Sequence, residues 1–329
     1  MTAFKVMTWN VENLYEPGTK YGPDTVEEYQ SKLKSLTDLI LFLDPDVLAV
    51  QEVGSPVAFQ DLINAMPGCY PDCRLSTHPD PRGIRVGFLS KYLILGADEI
   101  VEFPEAGIPS VPGLESDGNL KGVSEMGRGA LTIQILPKPD FSIYLINAHL
   151  KSKLLTYPSP PNHPRYTPRD ENERTRVAGM ALLRRTAEAA AVRVQANQLL
   201  EHNQNIALIV LGDMNDVTEA ANTQILQGPS GSEIGTRGFN QPDQGDDTRL
   251  FNLAPLIPEG RRYSRIQNGQ KELIDHILVS QEMLPGTPRR VPGVDSYVDD
   301  PLPSVSNNPT ERRGKPGSDH APVMATFEI

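Results

Sequence analysis

Acids, amides and imidazoles recur directly behind apolar, strand-like runs of this chain. Phe4–Trp9 is followed by Asn10 and Glu12, and Val47–Val50 by Gln51 and Glu52. Ser142–Asn147 leads into His149 and Lys151, and Ile206–Leu211 opens onto Gly212, Asp213, Asn215 and Asp216. The run Glu272–Val279 carries Asp275 and His276 inside it, and Asp319 and His320 precede Pro322–Ile329. Taken singly, a carboxylate behind a strand is commonly a turn or cap residue. Taken together, the groups have the types needed for hard-cation binding and proton transfer. In layered α/β folds ligands gather at strand ends, where residues distant in sequence converge. Two of the six histidines fall in Asp-His dipeptides and a third in Asn-Ala-His-Leu-Lys, each beside a strand.

These groups need elements to position them. Further strand-like runs are Val86–Leu89 and Leu131–Leu136, and several runs are apolar almost throughout, as expected of strands covered on both faces. Residues 25–43 place Leu33, Leu36, Leu39, Ile40 and Leu43 at helical spacing, and 171–202 is a long Ala/Arg/Leu-rich stretch. Strands interleaved with helices predict α/β. A length of 329 residues suggests two domains at roughly 150 residues each. Strand-like runs flank every proline-rich segment, however, so one domain spanning 1–329 is expected, with long inserted loops at about 98–129, 155–172, 227–250 and 284–318. Prolines number 30, about 9% of the chain against a usual ~5%, with five in 155–172 and seven in 284–318. Long connections of this kind commonly carry function, and 155–172 and 284–318 are expected to border the site and select the substrate.

The formal charge of −11 argues against a protein that coats nucleic acid or anionic membrane by bulk charge. It conceals a basic stretch. From Lys151 to Arg193 there are nine basic residues against four acidic ones, a local charge of +5, while the remainder carries −16. Such a stretch either steers an anionic substrate or is a solvated helix face. No apolar run approaches the ~20 residues that span a bilayer. The strand-like run from Phe4 leaves no room for a signal peptide, and Cys69 and Cys73, too few for a disulfide framework or a cysteine metal site, fit a structural role in a cytoplasmic protein.

The series TWNVENLY (8–15), LAVQEV (48–53), NAHLKSK (147–153), VLGDMND (210–216), LIDHIL (273–278) and GSDHAPV (317–323) resembles the endonuclease/exonuclease/phosphatase superfamily, across nearly the whole chain and in its order. Within it, the sequence looks most like a bacterial nuclease-like branch. The resemblance implies a four-layer α/β sandwich, two mixed β-sheets packed face to face and flanked by helices. It also implies Mg²⁺- or Mn²⁺-dependent hydrolysis of a phosphate ester. Hard cations take oxygen ligands, which makes Glu52 the leading metal ligand, with Asn10 supplying an amide oxygen and Asp319 a second carboxylate. His320 is the candidate to bond the phosphoryl oxygen or to act as acid or base, and Asp275 would orient and charge it. Asp213 would hold the attacking water or a second metal, Asn215 would donate to the phosphate, and His149 would contact it from the other side. Lys151, Arg85 and Arg128 are candidate phosphate contacts.

Deoxyribonuclease-like members pair the first catalytic histidine with a glutamate near the strand equivalent to 82–90, and RGIRVGFLS contains none. His276 is read as structural, and His78, His163 and His202 lie outside the motifs. Tyr157 and Tyr166 in the basic loop are placed to stack on bases. Three functions follow. They are a metal-dependent nuclease on DNA or RNA, a phosphodiesterase or phosphatase for a lipid-headgroup, inositol-phosphate or other small substrate, and an inactive scaffold. The complete set of motif residues argues against the last. No protein partner is inferable.

Overall fold

The computed structural model describes residues 2–115, 117–160, 165–201, 206–228, 231, 233–239, 248–284, 293–298 and 302–329. The chain begins with β1 (Ala3–Leu14), α1 (Val26–Leu43), β2 (Val47–Val53), α2 (Pro56–Asn64), β3 (Asp72–Leu75) and β4 (Arg85–Ser90). It continues through β5 (Ile94–Glu102), a hairpin of β6 (Val111–Leu114) and β7 (Leu120–Val123), then β8 (Glu125–Lys138) and β9 (Phe141–His149). After α3 (Glu171–Leu200) come β10 (Ala207–Asp213), α4 (Ala221–Gln227) and β11 (Phe251–Asn252). The last part holds β12 (Arg265–Gln267), β13 (Gln270–Glu272), β14 (Asp275–Val279), β15 (Gly293–Ser296), β16 (Ser304–Val305) and β17 (Val323–Glu328).

Two six-stranded sheets dominate, ordered β15-β17-β1-β2-β4-β3 and β11-β14-β10-β9-β8-β5. Both are mixed: β1 is parallel to β2 and antiparallel to β17, and β10 is parallel to β9 and antiparallel to β14. One apolar cluster fills the space between them, taking Phe4, Val6, Val47, Ala49 and Phe88 from the first sheet and Ile133, Leu145, Ile209 and Ile277 from the second. The outer face of the first sheet, with Met7, Trp9, Leu48 and Val50, packs on Leu33, Leu36 and Ile40 of α1 and Phe59 and Leu62 of α2. The outer face of the second, with Ala148, Leu208 and Val210, packs on Ala187, Val192 and Ala196 of α3. Strands buried on both faces account for the near-continuous apolar runs.

The helices form where the sequence predicts, at 26–43 and 171–200. The first opens with a capping box, in which Thr25 Oγ1 accepts from Glu28 N at 3.2 Å and Glu28 Oε2 accepts from Thr25 N at 3.2 Å. The second is capped by Asp170, which accepts from Glu173 N at 2.8 Å. The inserted segments are more ordered than their composition suggests. Residues 98–129 finish β5, form the β6–β7 hairpin and begin β8, and 284–318 contributes β15 to the first sheet and β16 to a small sheet with β12 and β13. Proline and acidic residues mask strands here because these are edge or hairpin strands, which need no apolar alternation on a solvated face. No described helix is long and apolar enough to cross a membrane. Cys69 and Cys73 are free, half-buried thiols packed against the α1–α2 layer.

Candidate active site

Side-chain direction alternates along a strand, so parity decides which residues can meet between the sheets. On β1, Phe4 and Val6 face the second sheet, which puts Asn10 on the same side. On β9 and β10 the inward series Ile143, Leu145 and Ile209, Leu211 extend to Asn147, His149 and Asp213, and on β14 Asp275 shares its face with Ile277 and Val279. His276 has the opposite parity. It is buried beneath the outer layer, where its Nε2 lies 2.9 Å from Asp216 O and its Nδ1 3.1 Å from Asn252 Nδ2, the structural role expected of it. Gly212 permits the close passage of β9 and β10. At φ +141° a Cβ there would lie 1.9 Å from Ala148 O.

Asp213 Oδ2 is the centre of the constellation. Asn10 Nδ2 donates to it at 3.0 Å across the two sheets, His149 Nε2 stands 3.4 Å away and His320 Nε2 4.0 Å away. Asp213 Oδ1 accepts from Asn215 N at 2.9 Å, and Asn215 Nδ2 donates to Leu150 O at 3.0 Å. His320 Nδ1 is locked on Asp275 Oδ2 at 2.7 Å. Glu52, at φ +64°, anchors Oε2 on Asn13 N at 2.9 Å and turns Oε1 toward His149 Nε2 at 4.0 Å. Asp319 sits beside them, its amide donating to Glu12 Oε2 at 3.1 Å and its Oδ2 3.5 Å from Arg265 Nε. A polar clasp lies just inside the site. Gln51 Nε2 donates to Asn147 Oδ1 at 2.7 Å, and Asn147 Nδ2 donates to Val50 O at 3.0 Å and Gly87 O at 2.8 Å.

The two histidines are driven in opposite directions. Burial, then the positive charges of Arg128, His320, Arg82 and Lys151, lower His149 well below the usual imidazole range, so its ring is neutral. Burial also opposes charge on His320, but Asp275, Asp319 and Asp213 outweigh it together and raise the ring to about 10. Burial and the Asp275 charge raise Asp213 to about 6, against the opposing pull of His320, Asn10 and Asn215. Titratable neighbours pushed apart in this way are a mark of acid–base sites.

Asp213, Asp275 and His320 bring their ligand-type atoms within 4.8 Å of one another. Within this group His320 Nδ1 is bonded to Asp275 Oδ2 at 2.7 Å, while its Nε2 stands 4.0 Å from Asp213 Oδ2. Asn10, Glu52 and Asp319 form the alternative, all-oxygen set. Asn10 Oδ1 accepts from Glu12 N at 2.9 Å and Glu52 Oε2 from Asn13 N at 2.9 Å, Asp319 Oδ2 lies 3.5 Å from Arg265 Nε, and Glu52 Oε1 points toward the other site groups. That donor chemistry suits a hard divalent cation, and both cysteines lie away from it in the α1–α2 layer.

Arg128 also reaches the site. Its Nη1 donates to Leu150 O at 3.3 Å and its Nε lies 3.4 Å from Asp80 Oδ2. Lys151 does not aim outward. Its ammonium donates to Ser152 O at 3.0 Å and Leu154 O at 3.1 Å, and burial followed by the Arg128 charge lowers it to about 8. Arg85 lies on the outer face of β4 with Gly87 and Leu89, and donates to Gly83 O at 2.6 Å. His149 Nδ1 has no hydrogen-bond partner among the described residues, in keeping with the missing glutamate. His78 is half-buried with Nε2 3.4 Å from Met126 O, and His163 and His202 lie outside the described residues.

Six of the nine basic residues of the 151–193 stretch are ion-paired, in part with its own Glu171, Glu173 and Glu188. Arg165 and Arg169 pair with Glu173, Arg174 with Glu171, Arg184 with Glu188, Arg185 with Asp216, and Lys153 with Asp216 and Glu272. Tyr157 is buried under the Arg165 guanidinium, so of the two loop tyrosines only Tyr166 is exposed. Sequence reasoning missed Glu12, Lys32, Arg312 and Arg265. Glu12 receives Arg312 Nε at 3.0 and 2.9 Å and lies 3.9 Å from Lys32 Nζ, which itself donates to Gly317 O at 2.7 Å. This charge knot fastens β1 to the segment before Asp319. The sequence signal for Glu12 was its place with Asn10 behind the apolar run Phe4–Trp9, which gave no hint of its partners.

A model of the Endonuclease/Exonuclease/phosphatase family matches residues 7–320. No curated protein sequence matches the chain. Among solved structures, an endonuclease/exonuclease/phosphatase from Bacteroides vulgatus aligns over 100% of both chains at 15% identity with a TM-score of 0.59. TDP2 from C. elegans covers 99% of this chain and 75% of its own at 14% identity and a TM-score of 0.56. The human Nocturnin catalytic domain, solved with bound sulfate, covers 99% and 94% at 15% identity and a TM-score of 0.56. At such identities the likeness concerns the fold, two mixed sheets of the deoxyribonuclease I-like type. With the family model spanning nearly its whole length and the motif residues gathered at one end of the two sheets, the chain belongs to the endonuclease/exonuclease/phosphatase family, whose members are hydrolases of phosphate esters.

Proposed function

We propose that this protein is a cytoplasmic, Mg²⁺- or Mn²⁺-dependent phosphodiesterase, with nucleic acid as the first substrate to test. The observation that carries the reading is the Asp213 carboxylate set between a neutral His149 and a cationic His320 that is braced by Asp275. Asn10, Glu52 and Asp319 would hold the cation, whose contribution is to neutralise charge on the phosphate. His320 donates from Nε2 to a phosphoryl oxygen, and Asp275 keeps the opposite nitrogen protonated. Asp213 orients the attacking water and takes its proton, a role suited to a carboxylate raised toward neutrality. His149, Asn215 and Arg128 contact the remaining oxygens, where fixed donors lower the barrier most. Lys151 and Arg85 are weaker candidates, given where their charged ends lie.

A smaller phosphodiester is the second reading, and the ion pairing of six of the nine basic residues in 151–193 favours it over a long polyanion. The test is a panel of bis(p-nitrophenyl) phosphate, p-nitrophenyl phosphate, supercoiled plasmid, single-stranded DNA, RNA and phospholipid with Mg²⁺ or Mn²⁺. Glu52→Ala and His320→Ala serve as controls. Turnover of all substrates surviving both substitutions would sink the site assignment, and turnover limited to phosphomonoesters would sink the diesterase reading.

A further inference from the structure

The β8–β9 ladder ends at Ala130 opposite Ala148, and the β9–β10 ladder at His149 opposite Asp213. The backbone that carries Arg128, Lys151 and Asp216 lies past these last rungs, and α3 crosses it there. Glu188, 2% exposed, accepts from Gly127 N at 2.9 Å through Oε1 and from Lys151 N at 2.5 Å through Oε2. Arg185, three positions earlier on the same helix face, donates from Nη1 to Lys151 O at 3.0 Å and from Nε to Asp216 Oδ2 at 3.2 Å. Apolar contacts from Ala187, Val192 and Ala196 already attach α3 to the sheet. The buried ionic groups therefore do more than dock the helix, since burying charge is costly unless every partner is in place.

The peptide between Leu150 and Lys151 shows what they do. Its N–H is the one Glu188 holds, and its carbonyl, Leu150 O, receives both Arg128 Nη1 at 3.3 Å and Asn215 Nδ2 at 3.0 Å. A peptide unit is planar and rigid, so fixing its N–H fixes the direction of its carbonyl. We propose that Glu188 is a positioning residue that sets the Leu150–Lys151 peptide plane and, through its carbonyl, aims Arg128 and Asn215 into the active site, while Arg185 holds the following peptide by Lys151 O. Glu188 and Arg185 replace the missing rungs of the ladder with one carboxylate and one guanidinium. The proposal rests on the phosphoesterase reading for its kinetic consequence, but not for the clamp itself.

Two measurements separate these levels. Hydrogen exchange on the full chain reads the clamp without any reaction. In Glu188→Ala the amides of Gly127 and Lys151 exchange faster while that of Ala130, inside the ladder, does not, and Glu188→Gln, which keeps one acceptor oxygen, falls between. Unchanged exchange at both amides would overturn the proposal whatever the activity. Kinetics with Mn²⁺ and bis(p-nitrophenyl) phosphate read the consequence. Glu188→Ala lowers kcat/KM on the order of 10- to 100-fold, the scale of a side chain displaced by about 1 Å. The same substitution made in an Arg128→Ala/Asn215→Ala background costs less than about twofold, because its targets are gone. Full additivity would overturn the positioning role. Absence of turnover by the wild type would instead overturn the phosphoesterase reading, leaving hydrogen exchange to decide the clamp.

Discussion

Asn147 is the residue whose removal tests most directly how the two sheets are held in register beneath the site. It is fully buried and makes three hydrogen bonds, accepting from Gln51 Nε2 and donating to Val50 O and Gly87 O. Asn147→Ala deletes all three and leaves their partners in a dry setting, at about 1–2 kcal/mol each, or about 3–6 kcal/mol in total. For 329 residues the unfolding entropy near the melting temperature is about 0.7 kcal/mol/K, so Tm should fall by about 4–9 °C. Gln51→Met provides the contrast. It loses the bonds from Nε2 to Asn147 Oδ1, Thr8 Oγ1 and Ala49 O, but it also removes Gln51 Oε1, a buried acceptor without a hydrogen-bond partner among the described residues. Those changes oppose one another, and the net cost should be about 1–3 kcal/mol, below that of Asn147→Ala. Calorimetry and urea unfolding of the two single variants and the double variant provide the assay, with a sub-additive double expected because the pair shares one bond. Equal losses for the two single variants, or a larger loss for Gln51→Met, would refute the reasoning.

The cation should depend on the oxygen set rather than on the Asp213–Asp275–His320 trio. Glu52→Gln and Asp319→Asn should each raise the Mn²⁺ concentration for half-maximal binding by about tenfold or more, read by calorimetric titration, while Asp275→Asn leaves it nearly unchanged. Gly212→Ala should be among the most destabilising single changes, because its Cβ would collide with Ala148 O; an unfolding midpoint within experimental error of the wild type would contradict the packing. Arg165, first of all, and Arg169 hold Glu173 down at about 2. A depressed carboxyl contributes stability that is present above pH 4.5 and lost as pH falls toward 2. Glu173→Gln should therefore be less stable at neutral pH and show a shallower acid limb, and parallel limbs for the two proteins would show that the pair contributes nothing.

Parity explains how much of the site could be read from sequence. Asn10, His149, Asp213 and Asp275 each extend an inward-facing series of apolar residues, so the strand that predicts the core also predicts the direction of its last polar residue. The same rule removes Arg85, which follows the outward series of β4, and His276, one position out of phase with Asp275. The charge pairs were not legible. Glu12 meets Arg312, 300 positions away, and Arg185 meets Asp216 from a different layer, and no local pattern signals such partners. For the same reason sequence left the +5 stretch open between a steering surface and a solvated helix face, while in the fold Arg165, Arg169, Arg174, Arg184 and Arg185 find carboxylates.

Placing β1 between β17 and β2 has a consequence for the life of the chain before it is an enzyme. Trp9 Nε1 donates to His320 O at 2.8 Å, and Ser318 Oγ donates to Asn10 O at 2.6 Å across 308 positions of sequence. At ribosomal rates the partner segment emerges about 15–60 s after β1. Throughout that interval one edge of β1 is unpaired, and Asn10 and Glu52 lack Asp319, the third member of the candidate metal set. High contact order of this kind makes for slow folding and an aggregation-prone nascent chain. It also means that the proposed site can assemble only after His320 has left the ribosome, since no earlier segment supplies its partner to β1.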